Sequence, residues 1–236
     1  VSAATRQLYP DRPFRIGLIE LSDSHKVTGL VAKSVKELRK AFYPYQINIQ
    51  QFSSRDLENA IRNKEVDAFI ASSGFFWRMV PFGARDVATM ISRNSPDPNH
   101  TSAITFITSR DNTSIRTLAD MQGKRLSASY PTAFMGYRIG LAEIASHGYD
   151  PEKFFSSVTF NNAPGIDPIA QKLLTGQADV AFVQSCWLET LSKEKRDQYR
   201  VISPIKDAVT ACVRSTAAYP NITAVSYTHL RAHETG

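Results

Sequence analysis

The chain has 236 residues, 42% of them hydrophobic, with 28 Lys and Arg against 22 Asp and Glu; this is enough for one large domain or two small ones with a full core. The basic excess is dispersed, its densest cluster being Lys33, Lys36, Arg39 and Lys40 on the solvated face of one predicted helix. With no RNP motif, zinc-finger spacing or basic arm, nucleic acid is excluded as a partner, and no apolar run approaches the ~20 residues that span a bilayer.

The polar start "VSAATRQLYPDRP" reads as that of a trimmed chain, and a longer membrane-anchored parent fits it equally. Phe14–Glu20 is a first strand, followed by the loop Leu21–His25 with N-cap candidates Ser22, Asp23 and Ser24. Val27–Phe42 carries apolar residues at helical spacing, and Gln46–Phe52 alternates as a strand does. Ser54 caps a helix to Lys64, with Asp56 and Glu58 near its positive end. Val66–Gly74, "VDAFIASSG", then reads as a buried parallel strand ending in Ser72, Ser73 and Gly74. Phe75 and Phe76 pack behind it, while Trp77 and Arg78 are candidates to line a cleft. Asp86–Ser92 is another strand, and the Pro-rich Arg93–His100 marks a lobe boundary.

Thr101–Ser109 is a strand at or beside the first crossing between lobes. Arg125–Ala128 is a strand, and Thr132–His147 a helix that Gly148 ends. Val158–Asn161 is a strand and Asp167–Thr175 a helix. Ala178–Ser185, "ADVAFVQS", repeats the earlier pattern of Asp, apolar run and small polar residues. Leu188–Gln198 is a charged helix, and Tyr199–Ser203 the return strand.

Two such repeats predict two α/β lobes, each a mixed, mostly parallel sheet flanked by helices. The order is that of a two-lobed periplasmic binding protein, type II-like, with two hinge crossings. Residues 12–100 form lobe 1, completed by 204–225, and 101–203 form lobe 2. Residues 226–236, "SYTHLRAHETG", have no period or partner element and read as a non-native tail outside the core. His229 and His233 within it have the spacing of a metal pair but no third ligand nearby, so no metal site is assigned.

Ligands of open α/β sheets bind beyond the carboxyl ends of the strands. That places Ser72, Ser73 and Gly74 of one copy, and Gln184, Ser185 and Cys186 of the other, at a ligand cleft. Ser24 and His25, after the first strand, join them. Asp67 and Asp179 start strands away from that edge and are read as caps or salt-bridge partners. No nucleophile elbow, P-loop, HExxH or dinucleotide fingerprint occurs, so neither catalysis nor a cofactor is expected. A rival enzyme reading of the same fold would act through Cys186. Cys186 and Cys212 leave three readings open: an ordinary disulfide, two unrelated thiols, or a redox pair at the interlobe hinge that senses its ligand.

"IRTLADMQGKRLSAS" (Ile115–Ser129), "HGYDPEKFF" (His147–Phe155) and "LLTGQADVAFV" (Leu173–Val183) resemble segments of phosphonate-type solute-binding proteins. "SSGFFWRMVPFGARDVATM" (Ser72–Met90), "YPTAFMGYRIGLAEI" (Tyr130–Ile144), "SCWLETL" (Ser185–Leu191) and "CVRSTAAYPN" (Cys212–Asn221) resemble the extracytoplasmic sensor portion of tetrathionate-sensor-type histidine kinases. The resemblance implies extracytoplasmic binding of a small anionic ligand by cleft closure, as the sensor domain of a two-component histidine kinase. Its partner is then the membrane-embedded kinase portion. The alternative is a free substrate-binding subunit whose partner is an ABC permease. The family's Ser-Thr-Ser-Gly anion loop corresponds to Thr132, Ala133, Phe134, Met135 and Gly136, where only Thr132 keeps a hydroxyl. Tyr130, Thr132, Ala133, Phe134 and Met135 are therefore further ligand contacts, and the softer, more apolar loop favours a sulfur oxyanion or small organic anion over a phosphonate.

Overall fold

The computed structural model describes residues 12–19, 35–89, 97, 99–131, 133–161, 165–206, 211–220 and 222–227. The chain divides into two units: unit 1 is Val1–Thr89 with Ile222–Gly236, and unit 2 is the continuous stretch Met90–Asn221.

Unit 1 contains β1 (Phe14–Ile19), β2 (Ile47–Phe52), β3 (Ala68–Ser72), β4 (Ala84–Thr89) and β10 (Ile222–Tyr227). They lie in the order β2-β1-β3-β10-β4. β1 is parallel to β2 and β3, whereas β10 is antiparallel to both β3 and β4. Residues 35–42 are helical (α1), and α2 (Ser54–Arg62) and α3 (Ser73–Met79) follow. The buried stripe of α2, Leu57, Ala60 and Ile61, joins Phe69, Ala71, Phe75, Phe76 and Met79 in one core. The cap of α2 is Ser53, one residue before the predicted Ser54; its Oγ accepts from the Asp56 amide at 3.1 Å. Its extended backbone (φ −60°, ψ 160°) aims that oxygen at the open end of the helix.

Unit 2 contains β5 (Ile104–Ser109), β6 (Arg125–Ala128), β7 (Ser157–Phe160), β8 (Val180–Gln184) and β9 (Tyr199–Ile202), in the order β7-β6-β8-β5-β9. β6 is parallel to β7 and β8, and β5 is antiparallel to β8 and β9. The helices are α4 (Ile139–Ser146), α5 (Pro151–Phe154), α6 (Asp167–Leu174) and α7 (Lys193–Arg196). Alternate residues of β5 and β8 enter different cores. Ile104, Phe106, Val180 and Phe182 face one, and Ile107, Ala181 and Val183 the other. A sheet covered on both faces needs an unbroken apolar strand, hence the run "VAFV". Gly140 lets α4 lie on Phe182: a Cβ there would come within 2.3 Å of the ring, which is itself stacked on Phe106 at 4.6 Å.

Both sheets are thus mixed α/β with four strands one way and the fourth in order reversed. That is the predicted class, with three boundaries moved. Tyr199–Ser203 is not a return strand; β9 is the edge of unit 2, next to β5. Residues 204–221 stay in unit 2, held by an Ile205–Arg214 bridge and by the Ser215 amide donating to the Ile104 carbonyl at 2.9 Å. The return begins at Ile222, and β10 continues to Tyr227, so Ser226 and Tyr227 are paired in the sheet rather than part of a tail. The predicted boundary loop 93–100 also falls in unit 2, because the division comes between Thr89 and Met90.

Candidate functional site

In unit 1 the carboxyl end of β3 runs straight into α3. Ser72 is the cap: its Oγ accepts from the Phe75 amide at 3.3 Å. Ser73 and Gly74 form the first turn of α3. Phe75 and Phe76 are buried, as their packing role required, while Trp77 is 67% exposed. The Arg78 guanidinium lies over the Phe75 ring at 5.2 Å. Ser24 and His25 lie outside the described residues.

In unit 2 the predicted contacts gather at the carboxyl edge of β6 and β8. After β6 the Ala133 amide donates to the Tyr130 carbonyl, closing a tight turn. Phe134–Arg138 then forms a π-helical turn, with the Arg138 amide donating to the Ala133 carbonyl five residues back at 2.9 Å. It runs directly into α4. The close approach to β6 requires Gly136, since a Cβ there would sit 2.5 Å from that of Ser129. The first turn of a helix leaves its amides without intrahelical acceptors, and no acidic side chain occupies this one. Burial raises the Tyr130 phenol above its ordinary value, so it stays a neutral donor. Thr132 lies outside the described residues.

After β8, Gln184 is exposed and its carbonyl accepts from the Trp187 amide at 3.1 Å, making a second tight turn. The Ser185 amide donates to the Ala103 carbonyl at 2.9 Å, and its Oγ to the Val213 carbonyl at 3.5 Å. Cys186 has φ 77° and is bonded to Cys212, with Cα atoms 5.1 Å apart. Both cysteines belong to unit 2, so this bridge joins two segments of one unit and does not span the crossing between units. Sequence reading placed Cys212 in the first lobe because nothing in "DAVTACVRS" signals that the chain remains behind.

The segment 211–220, which the sequence reading assigned to lobe 1, is bound into unit 2 along its length. Thr216 Oγ1 accepts from the Ile104 amide and Ser215 Oγ from the Phe106 amide. Ser215 Oγ also donates to the Ile202 carbonyl at 2.6 Å, beyond which β9 has ended. Two buried hydroxyls so replace a strand. The only available signal was the polar run Arg214–Ser215–Thr216 between Val213 and Ala217.

The two paired aspartates lie at the opposite, amino ends. Asp67 Oδ2 accepts from the Arg15 amide at 2.9 Å and from its Nε at 3.1 Å; Asp179 Oδ2 accepts from the Arg125 amide at 2.9 Å and from its Nε at 3.0 Å. In return the Asp67 and Asp179 amides donate to the Arg15 and Arg125 carbonyls. Burial pushes the Asp67 carboxyl up, but the Arg15 hydrogen bonds and charge, aided by Arg12, bring it below the ordinary range. For Asp179 the Arg125 hydrogen bond is the main cause of a lowered value. These are joints between strands, not acid–base groups. Among the described residues no cluster of His, Cys, Asp and Glu has the makings of a metal site.

The family model for the periplasmic substrate-binding protein of phosphonate ABC transporters matches residues 17–233. A binding-protein component of a phosphonate ABC transporter from Pseudomonas aeruginosa superposes with a TM-score of 0.61 at 18% identity, over 92% of this chain and 69% of that one. The periplasmic aliphatic sulphonate binding protein of Escherichia coli gives a TM-score of 0.57 at 12% identity, over 93% and 63% respectively. The tetrathionate sensor histidine kinase of Salmonella typhimurium is 30% identical over 119 residues, 49% of this chain. That match spans about a fifth of the kinase, 19% of its length. No helix among the described residues is long and apolar enough to cross a membrane.

Proposed function

The chain belongs to the family of periplasmic substrate-binding proteins of phosphonate ABC transporters, a family of binding proteins rather than enzymes, and we propose that it binds a small anion outside the cytoplasm, a sulfur oxyanion in preference to a phosphonate. The observation that carries this reading is the head of the Phe134–Ser146 helix. Its first-turn amides and dipole favour negative charge, and its first turn holds no carboxylate that would repel an anion. Phe134 and Met135 give that turn an apolar, polarisable character that suits a sulfur-containing ion. Gln184–Cys186, at the end of β8 in the same sheet, supply further contacts in this reading.

The partial likeness to a sensor kinase supports the sensor domain of a two-component histidine kinase as the context, with a membrane-embedded kinase portion as partner. The family description favours the second reading, a free subunit serving an ABC permease. The Cys186–Cys212 bridge fits the oxidising compartment that both require. Titration calorimetry with tetrathionate, ethanesulfonate and methylphosphonate tests the ligand. Binding of a sulfur anion more tightly than methylphosphonate is expected. The reverse order overturns the sulfur preference, and no binding by any of them overturns the anion reading. A kinase region in the full-length protein supports the sensor, and its absence supports the transporter subunit.

A further inference from the structure

We propose that the basic side of α1, with Tyr43 just beyond its end, docks unit 1 on an anionic lipid surface, whichever small ligand the protein takes. In the sequence this side looked like an ordinary solvated helix face, and the structure adds to that. Lys36, Arg39, Lys40 and Tyr43 stand at i, i+3, i+4 and i+7, so they share one side. Tyr43 lies in the turn that follows the helix, its amide donating to the Lys40 carbonyl at 3.4 Å. All four side chains are exposed. Tyr43, at 84%, is the most exposed large hydrophobic residue among those described. Together with Val35 the four line an open hollow of about 790 Å³. The apolar Val35, Leu38 and Phe42 are half-buried on the adjoining side.

The charge on this side is only partly answered within the chain. Lys40 Nζ lies 3.3 Å from Glu37 Oε1, both side chains being largely exposed. Such a pair is weak and opens at little cost. Among the described residues no acidic side chain pairs with Lys36 or Arg39. Cations near the end of a helix gain from its dipole. That accounts for the lysines and the arginine, but not for a solvent-facing ring set among them. A ring with an apolar body and a polar tip, flanked by cations, matches the boundary between lipid headgroups and acyl chains. An acidic protein surface would answer the cations alone and leave the ring without a role. Both contexts proposed above, sensor portion and permease-serving subunit, put the chain beside a bilayer.

The test is co-sedimentation of the whole chain with vesicles of phosphatidylcholine, alone and mixed with phosphatidylglycerol. Binding is expected to the mixed vesicles only, and to fall as salt is added. Each basic side chain at such a surface contributes about fivefold. The combined change Lys36→Gln, Arg39→Gln and Lys40→Gln should therefore weaken binding roughly a hundredfold. Tyr43→Ala should weaken it several-fold and Tyr43→Trp should keep it. Glu37→Gln removes the one acidic side chain paired on this helix and should tighten binding, a gain that misfolding cannot produce. Equal binding to both kinds of vesicle, no binding by the wild type, or a Glu37→Gln variant that binds no better would each overturn the proposal. Retention on polyglutamate beads without binding to vesicles would give the face to an acidic protein and overturn it too. The calorimetry with small anions is read separately, so either conclusion can fail while the other stands.

Discussion

The same joint is built twice in this molecule, and the two copies differ in how wet they are. In unit 1, Asp67 joins β1 to β3 with its side chain 2% exposed, beside an Arg15 side chain 31% exposed. In unit 2, Asp179 joins β6 to β8 with 26% exposed, beside an Arg125 at 46%. The partners, atoms and distances match almost one for one. What the pair teaches is that a sequence repeat can preserve a hydrogen-bond pattern while its energetic worth drifts with burial. A carboxylate withdrawn from water depends on its guanidinium, while a wetter one has water as a substitute.

The sharpest way to break the comparison is Asp67→Ala, which leaves Arg15 facing an empty, mostly dry site; a loss of about 3 kcal/mol is expected in urea unfolding, from the range for broken buried pairs. Close behind comes the double change Cys186→Ser with Cys212→Ser. Opening a loop of this size costs roughly 3 kcal/mol in the chain-entropy model. The loss should appear in unit 2, and proteolysis that finds unit 1 loosened instead would contradict the assignment of Cys212. Asp179→Ala should cost only about 1 kcal/mol, since its partner stays hydrated. Equal midpoints for the two Asp variants would show that burial does not set the worth of the joint. Ser53→Ala, removing the cap of α2, should cost about 1 kcal/mol or less.

Acid sharpens the same contrast. Both carboxyls are held below their ordinary value in the folded chain. Their contribution is therefore complete above the unfolded carboxylate pKa, about 4. It disappears as pH falls through the lower folded values. Wild type should thus lose stability below about pH 4 more steeply than Asp67→Ala. Parallel pH profiles for the two would remove Asp67 from the acid response.

The repeat itself was legible from the apolar runs of "VDAFIASSG" and "ADVAFVQS", but only β8 is buried on both faces; in β3 Phe69 and Ala71 are buried while Ala68 and Ile70 are half-buried. The packing of Phe75 and Phe76 and the ion-pair role of both aspartates could be read for the same kind of reason. Segment 204–221 could not. It has almost no periodic structure, and its place in unit 2 comes from Ser215 and Thr216 standing in for a strand. A hydroxyl that satisfies a distant amide leaves no pattern in the chain. The π turn at Phe134–Arg138 was hidden likewise, because the close approach of Gly136 to Ser129 is a tertiary fact.

The reversed strand in each sheet has a consequence for biosynthesis. In unit 2 it is β5 and in unit 1 it is β10, and among the described residues these are the first strand of unit 2 and the last strand of unit 1. Translation therefore delivers everything unit 2 needs, Met90 to Asn221, before unit 1 can close. Until Ile222–Tyr227 emerges, β3 and β4 lack the strand that pairs with both, and each presents an open edge of the kind that invites wrong pairing. The unit whose other strands are made before unit 2 is thus the one that closes after it, and the six residues Ile222–Tyr227 decide when that happens.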